Sequence, residues 1–294
     1  MNSPTTRRQF LTTTSLASVG ALTASDATAQ DAKPASGPNL EGHIFKAVKG
    51  GRKRGESPLD FFKRLKGLGF DGVESGNANE ADAYAAATAE TGVMFHGQVC
   101  GWHWGTRLSS PDEATRAKGI AMMKDNILAT HRLGGSAVLL VPGKVSGPNE
   151  THDHVWHRSI AEVSKVLPLA SRLGVRILIE TVWNGFCESP DKFRDYIDAF
   201  NSPWVGAYFD IGNMQKFAPA EEWIRTLGNR NVKLDIKDWG KKNGFCRLGE
   251  GDVDWDKVRV ALKEVGFSGW ATREGSDKSL EDTSSLIDQL LIGK

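Results

Sequence analysis

The chain has 294 residues with 37 basic and 36 acidic side chains, and its formal net charge is +1. This balance argues against partners that are bound mainly by charge, such as nucleic acid or an anionic membrane. The length suits one large domain or two small ones, with no disulfide framework or zinc pattern among its three cysteines. We expect Cys100, Cys187 and Cys246 to be buried or inert thiols.

The first residues have the three parts of an export signal. Paired arginines, Arg7 and Arg8, precede a weakly apolar stretch, and a small-residue cleavage pattern ends at Ala29. The arginine pair followed by Phe and Leu resembles the bacterial twin-arginine signal, and a disordered basic tail is the alternative. The apolar stretch is too short and too polar for a stable transmembrane helix. We predict a signal peptide over 1–29, a flexible leader over 30–42, and a periplasmic or otherwise extracytoplasmic mature protein.

Short apolar runs alternate with longer amphipathic stretches from residue 43 onward. The short runs predict strands over 43–48, 70–74, 93–99, 137–141, 175–179, 205–209, 232–236 and 270–273. The longer stretches predict helices over 59–68, 81–91, 113–133, 154–173, 220–227, 255–265 and 279–291. A further helix is predicted to begin with Ser189 as N-cap and Pro190 at its first position.

Eight strand–helix units define the expected fold. Several strands are apolar at consecutive positions, which is typical of parallel strands that are buried on both faces. Such alternation produces right-handed βαβ units, and eight of them favour an α/β fold with a single closed (β/α)8 TIM barrel over 43–294. An open doubly wound sheet is the alternative. Neither a dinucleotide-binding glycine motif nor a P-loop lysine motif is present, so a nucleotide cofactor has no support.

Acidic residues end the last four predicted strands. These residues are Glu180, Asp210, Asp235 and Glu274. The carboxyl ends of barrel strands share one rim, so four carboxylates there would repel one another unless a cation lay between them. Oxygen ligands suit Mg²⁺ or Mn²⁺. For any single acid, a helix N-cap or an ion pair is the alternative. Lys237 could neutralise the cluster or contact a substrate.

A family resemblance rests on these strand ends. The residues that carry it are Ile179-Glu180, Phe209-Asp210-Ile211-Gly212-Asn213, Asp235-Ile236-Lys237-Asp238 and Glu274. They resemble the xylose-isomerase-like TIM-barrel superfamily, which holds sugar phosphate isomerases and epimerases, over residues 43–292. The wider sequence is similar to an exported branch of that group.

The resemblance implies a reaction and a set of roles. The implied reaction is proton abstraction beside a carbonyl of a sugar or keto-sugar through an enediolate, assisted by a divalent metal, Mn²⁺ or Mg²⁺. The implied metal ligands are Glu180, Asp210, Asp235 and Glu274. The implied catalytic residues are the acid–base pair Glu180 and Glu274, with Lys237 stabilising the oxyanion.

One position departs from the family pattern. Many members have a metal-binding histidine where this chain has Asp235, and no histidine follows His157. Either Asp235 takes the ligand role or the site uses fewer ligands. An all-carboxylate site should favour Mn²⁺ or Mg²⁺ over zinc. The superfamily also holds metal-dependent apurinic endonucleases, whose sites use several histidines, and the acidic set weakens that interpretation.

Candidate substrate contacts lie at or just after the predicted strand ends. They are Glu74, His96, Trp102, His103, Trp104, Arg107, Lys144, Trp183 and Asn213. Aromatic faces pack against sugar C–H groups. His96 could instead be a core histidine, and Trp102 and Trp104 could be packed under a loop. Arg107 and Arg273 could bind a phosphate, although export favours a neutral sugar.

The function that these observations favour is a metal-dependent sugar isomerase or epimerase with a small-molecule sugar substrate. A lyase or hydrolase that cleaves a keto-sugar glycoside through the same enediolate is the alternative, followed by a non-catalytic sugar-binding barrel. We expect no nucleic-acid partner and no stable membrane insertion, and a homo-oligomer is compatible with the sequence.

Overall fold

Eight parallel strands form a closed barrel in the computed structural model, which describes residues 37–275 and 277–294. The barrel strands are β1 (Ile44–Lys49), β2 (Gly72–Glu74), β3 (Met94–Val99), β4 (Ala137–Leu140), β5 (Arg176–Ile179), β6 (Val205–Asp210), β7 (Asn231–Ile236) and β10 (Gly269–Arg273). Their order is β1-β10-β7-β6-β5-β4-β3-β2, with β1 hydrogen-bonded to both β2 and β10. The predicted (β/α)8 barrel is confirmed. A separate antiparallel hairpin, β8 (Asp238–Gly240) with β9 (Gly244–Cys246), follows β7.

Helices connect the strands. They are α1 (Pro58–Gly67), α2 (Ala81–Thr91), α3 (Glu113–Arg132), α4 (His152–Ser164), α5 (Leu167–Leu173), α6 (Pro190–Asp198), α7 (Ile211–Met214), α8 (Ala220–Leu227), α9 (Trp255–Glu264) and α10 (Leu280–Leu286). A π-helical segment, Ile287–Ile292, continues α10. Side-chain caps fix several of the starts: the Ser57 side chain accepts from Asp60 N, and the Asp112 side chain accepts from Thr115 N.

Two details differ from the predicted helices. The single helix predicted over 154–173 is divided into α4 and α5, because Pro168 has no N–H to donate to the preceding turn. Ser189 does occupy the N-cap of α6 with an extended backbone, but its side chain makes no capping hydrogen bond.

Two apolar layers surround the strands. Outward-facing strand residues pack against the helices in one large core, which includes Ile177, Ile179 and Phe209. The barrel interior holds a smaller apolar cluster, which includes Leu178 and Tyr208. Side chains alternate between the two faces of a strand, so the residue two positions beyond an interior residue also points inward. This alternation places polar strand-end residues above the interior cluster.

The residues just before β1 pack against the C-terminal segment. Leu40 is buried, and its N–H donates to Ile292 O at 2.8 Å. The last residues of the predicted leader over 30–42 are therefore packed against the C-terminal segment. Residues 1–36, with the predicted signal peptide, lie outside the described residues. Across 37–275 and 277–294, we find no helix with the length and apolar character needed to cross a membrane.

Candidate metal centre and active site

Four carboxylates converge at the C-terminal rim of the barrel. Glu180, Asp210, Asp235 and Glu274 each offer one oxygen, and these four oxygens lie within 4.8 Å of one another. Strand periodicity brings them there, since Glu180 lies two residues after the interior Leu178. Asp210 and Asp235 are direct partners in the β6–β7 register. The structure thus brings together all four residues that were predicted as ligands, and the ligand role itself stays a prediction.

Two lysines lie among these carboxylates. Lys49 Nζ is 2.6 Å from Asp235 Oδ2 and 2.5 Å from Glu274 Oε2. Lys237 Nζ is 2.9 Å from Asp210 Oδ2 and 3.1 Å from Glu274 Oε1. Lys237 was predicted from the sequence, whereas Lys49, at the end of β1, was missed. The two ammonium groups offset half of the charge of four ionised carboxylates.

Burial and neighbouring charges shift the pKa values of these groups in different directions. Burial raises the pKa of Glu180, Asp210 and Asp235, because the charged carboxylate loses its hydration. Burial also acts to raise the pKa of Glu274, but Lys49 and Lys237 outweigh it and lower that pKa to about 2. The half-exposed Glu274 is thus the carboxylate most strongly held in its charged form.

The cluster fits a divalent cation. Oxygens bound to one ion at about 2.0–2.6 Å can be no more than about 5 Å apart, which the observed separation satisfies. Asp235 Oδ1 is buried and has no hydrogen-bond partner among the described residues. When all four carboxylates are ionised, they and the two ammonium groups carry a net charge of −2, which a divalent cation would neutralise. All-oxygen ligation matches Mg²⁺ or Mn²⁺ better than zinc.

The motif around Asn213 holds members of the cluster through hydrogen bonds. Asp210 Oδ1 accepts from Asn213 N at 2.8 Å, which caps the short helix α7. Asn213 Nδ2 donates to Glu180 Oε1 at 3.3 Å, and Asn213 Oδ1 accepts from Lys237 Nζ at 3.2 Å. A Cβ at Gly212 would lie 2.7 Å from the backbone carbon of Lys237, so the glycine permits this close approach.

A cavity of about 410 Å³ opens above the carboxylates. Its lining residues are Lys49, Val99, His103, Trp104, Leu139, Glu180, Val182, Trp183, Asn213, Lys237, Phe245 and Glu274. Four of the predicted substrate contacts therefore line it: His103, Trp104, Trp183 and Asn213. Phe245, on β9, was missed by sequence reasoning, because the hairpin that carries it was not predicted.

His103 presents a fixed tautomer to this cavity. Its Nδ1 accepts from Val141 N at 3.0 Å, so the neutral ring carries its proton on Nε2. Burial, with a smaller effect from Lys49, lowers the pKa of His103 to about 4. At neutral pH the ring is therefore an uncharged hydrogen-bond donor.

Two predicted contacts lie deeper, inside the barrel. Glu74 Oε2 is 3.3 Å from Tyr208 Oη. His96 stacks on Trp270 with ring centroids 4.5 Å apart, and its Nδ1 is 2.9 Å from Lys233 Nζ. His96 is thus a buried, hydrogen-bonded core histidine, which was the alternative interpretation, and neither residue lines the cavity.

Three other predicted contacts lie outside the cavity lining. Trp102 Nε1 donates to Asn126 Oδ1 at 2.6 Å, which holds the ring against α3. Arg107 forms a two-armed ion pair with Glu150 at 2.9 and 2.7 Å, so its guanidinium is already neutralised. Lys144 is exposed on a loop. The position of a residue at a strand end does not reveal whether its side chain already has a hydrogen-bond or ion-pair partner.

Comparison with known proteins agrees with this geometry. A sequence model of the xylose isomerase-like TIM-barrel family matches residues 62–290, and the chain belongs to that family. The L-ribulose-5-phosphate 3-epimerase UlaE of Salmonella paratyphi A is 28% identical over 233 residues, which cover 73% of this chain and 81% of the relative.

Solved structures show the same fold. The 3-keto-D-glucoside 4-epimerase YcjR from E. coli superimposes with a TM-score of 0.71 at 16% identity, covering 84% of this chain and 98% of that one. The D-psicose 3-epimerase from Clostridium cellulolyticum H10 gives a TM-score of 0.69 at 17% identity, with 84% and 99% covered. The similar proteins named here are thus sugar epimerases.

Proposed function

We propose that the protein is a divalent-metal-dependent epimerase that acts on a keto-sugar by proton abstraction next to the carbonyl. The observation that carries this proposal is the convergence of Glu180 and Glu274 in one cluster at the floor of the cavity. β5 and β10, which precede them, are separated in the barrel by β6 and β7, so the two glutamates approach from well-separated strands. Epimerisation by a two-base mechanism uses two such groups, one to remove a proton and one to return a proton from the opposite side.

Each residue of the site has its own role in the proposed reaction. One of the two glutamates removes the proton from the carbon next to the carbonyl, and the other returns a proton to the opposite face of that carbon. The Lys237 ammonium stabilises the negative charge that develops on the sugar oxygen. His103 donates a hydrogen bond from Nε2 to a sugar oxygen. Asn213 holds both Glu180 and Lys237 in position.

A bound divalent cation would supply Lewis-acid polarisation of the carbonyl. Glu180, Asp210, Asp235 and Glu274 would hold it, with Mn²⁺ or Mg²⁺ favoured by the all-oxygen donor set. The relatives named above support the epimerase class, since they act on ribulose 5-phosphate, a keto-glucoside and psicose.

The direct test is incorporation of deuterium from D₂O. The full chain with Mn²⁺ is incubated with D-psicose, L-ribulose or methyl 3-keto-glucoside, and the products are analysed by NMR. We expect deuterium at the carbon next to the carbonyl, together with the epimer. Glu180→Gln and Glu274→Gln should each lower this rate by roughly 10²–10⁴-fold, the usual contribution of a general acid or base. Glu222→Gln, at an exposed position on α8, is the matched control.

Two outcomes would contradict the proposal. Absence of exchange with each of these sugars in the presence of Mn²⁺ would exclude this chemistry for them. Release of methanol from methyl 3-keto-glucoside, with deuterium exchange but no epimer, would instead identify the lyase or hydrolase alternative.

A further inference from the structure

Exposed aromatic side chains concentrate at the mouth of the cavity. Among the described residues, four Phe, Trp or Tyr side chains are exposed, and three of them line this cavity: Trp104 at 56%, Trp183 at 41% and Phe245 at 50%. The fourth, Phe45, lines a different cavity at the N-terminal ends of the strands. Leaving large apolar surfaces in water is unfavourable, and their clustering beside a polar site marks a place for a ligand.

The aromatic pair on one side is held in place. Phe245 stacks on Trp183 with ring centroids 4.9 Å apart and planes 23° from parallel. Trp183 Nε1 donates to Asn213 O at 2.6 Å, and Lys216 Nζ lies 4.3 Å from the centroid of the indole. Asn213 also contacts Glu180, so the aromatic pair and the carboxylate cluster share one support. A surface with fixed rings loses little conformational entropy when a ligand packs on it.

The lysines that line the cavity are already paired, whereas Lys216, next to the Trp183 indole, is exposed and lines a different cavity. Lys49 and Lys237 each contact two carboxylates. In the adjoining cavity of about 470 Å³, which shares Lys237, Phe245 and Glu274 with the first, Arg273 pairs with Asp277 at 2.8 Å and Arg247 pairs with Asp282 at 2.6 Å. A phosphate dianion is bound most strongly by cationic side chains whose charge is not already neutralised. Among the described lining residues, each lysine and arginine has a carboxylate partner.

The combined space is larger than one sugar ring needs. The first cavity is lined both by the buried Glu180 and by the exposed rings of Trp104, Trp183 and Phe245. Cavities of about 300–1,000 Å³ typically hold ligands larger than a monosaccharide. A sugar whose reacting carbonyl faces Glu180 and Glu274 would leave the aromatic part to whatever the sugar carries.

We propose that Trp104, Trp183 and Phe245 form a second subsite, which binds a ring joined to the reacting sugar through a glycosidic bond. The substrate class is therefore an unphosphorylated keto-glycoside with a ring substituent, in preference to a phosphorylated ketose such as that of the UlaE relatives. This inference rests on the proposed function for the position of the reacting sugar. The aromatic faces pack against the C–H groups of a second sugar or against an aromatic substituent.

The experiment uses sugars that lack the reactive carbonyl, so that binding is measured without turnover. The full chain with Mn²⁺ is titrated by NMR with 4-nitrophenyl β-D-glucopyranoside, cellobiose, methyl β-D-glucopyranoside, D-glucose and D-glucose 6-phosphate. We expect the nitrophenyl glucoside or cellobiose to bind about 3- to 10-fold more tightly than the methyl glucoside, the gain of one aromatic packing contact. Whichever of the two binds more tightly identifies the ring. Glucose 6-phosphate should bind no more tightly than glucose.

Matched variants assign the effect to the subsite. Phe245→Ala and Trp104→Ala should each reduce the preference for the ring-bearing glucoside, whereas Phe45→Ala, at the opposite end of the barrel, should leave it unchanged. The proposal is overturned by equal affinity for, or no binding of, the ring-bearing and methyl glucosides. It is also overturned by a preference that survives both cavity changes, or by tighter binding of glucose 6-phosphate. Because these probes carry no carbonyl, the subsite can stand when deuterium exchange fails, and the reverse also holds.

Discussion

Lys49 explains how Asp235 can occupy the position where the sequence resemblance expects a histidine. Its ammonium lies 2.6 Å from Asp235, and Asp235 is fully buried. Replacing a neutral histidine by an aspartate adds one negative charge, which is costly in a buried site without a compensating partner. Lys49, at the end of β1 on the same rim, supplies that partner.

The first prediction concerns this pair. Asp235→Asn should weaken Mn²⁺ binding by roughly tenfold or more, because it removes a charged oxygen next to the other carboxylates. Asp235→His alone should also bind poorly, because the Lys49 ammonium would then lie beside a neutral ligand. The double variant Asp235→His with Lys49→Met should recover much of the lost affinity. Calorimetric titration with Mn²⁺ measures all three, and wild-type affinity in Asp235→Asn would show that this residue does not act on the metal.

The second prediction concerns the acid stability of the protein. The pKa of His103 is lowered by burial to about 4, below the value of about 6.5 in the unfolded chain. Between these values the unfolded state binds more protons, so stability is present above pH 6.5 and is lost as the pH falls to about 4. Protonation of Nδ1 would also break its hydrogen bond from Val141 N–H.

His103→Gln keeps an acceptor for Val141 and removes the titration. In metal-free buffer, the wild type should lose about 2 kcal/mol more unfolding free energy between pH 7 and pH 4.5 than this variant. Urea unfolding at the two pH values measures the difference. An NMR titration in which the His103 ring protonates near pH 6.5 would contradict the prediction.

At the residue scale, the position of a residue at a strand end predicted the carboxylates of the site. The ion-pair partners of charged residues could not be predicted from the sequence. The four carboxylates could be predicted because each ends an apolar strand, where a charged residue stands out. Lys49 could not, because a lysine at the end of a first strand resembles an ordinary surface residue. Arg107 was assigned to substrate because its partner Glu150 lies 43 residues away in sequence, a contact that spacing does not reveal.

At the element scale, the hairpin β8–β9 depends on Asp238. This side chain accepts from Gly249 N at 2.8 Å and from Trp255 Nε1 at 3.1 Å, which ties the segment after the hairpin to the start of β8. The sequence left Asp238 without a clear role, and the structure places it in these contacts. The hairpin in turn carries Phe245 over the cavity.

The third prediction tests this support. Asp238→Ala should lower the unfolding free energy by about 2–4 kcal/mol, because it removes two hydrogen bonds to a buried charged acceptor. It should also weaken binding of the ring-bearing glucoside, as Phe245 loses its fixed position. Lys242→Ala, at an exposed position between β8 and β9, is the control. Unchanged thermal unfolding of Asp238→Ala would show that the hairpin is held by other contacts.

The apolar barrel strands and most of the amphipathic helices were predictable, and the two strands of the hairpin were not. The strand and helix pattern gave all eight barrel strands, because strands that are buried on both faces read as apolar runs. The two strands of the hairpin have three residues each, and they alternate too briefly to be distinguished from a loop. The division between α4 and α5 follows from Pro168, which removes one backbone N–H donor from an otherwise helical pattern.

At the scale of the whole molecule, the barrel closes only after β10, its last strand in sequence, has been made. β1 pairs with β10 through five registered residue pairs, and Lys46 Nζ lies 2.7 Å from Asp288 Oδ1 in the C-terminal segment. The candidate metal site likewise draws on Lys49, which ends the first strand of the chain, and on Glu274, which follows the last strand. Neither the closed sheet nor this site can exist before the last strand has been made. The metal site can therefore form only after the barrel has folded.

The last prediction concerns the proposed export signal of a protein whose metal site forms only after folding. A twin-arginine route carries folded proteins, so it would allow the barrel to close and its metal to bind before export. We expect the double change Arg7→Lys with Arg8→Lys to leave uncleaved precursor in the cytoplasm, because lysine keeps the charge but lacks the paired guanidinium groups. Fractionation followed by mass measurement of the N-terminus reports both location and cleavage. Arg54→Lys with Arg132→Lys, at two exposed positions of the barrel, should be exported and cleaved normally. Normal export and cleavage of the Arg7–Arg8 variant would show that the pair is not the export signal.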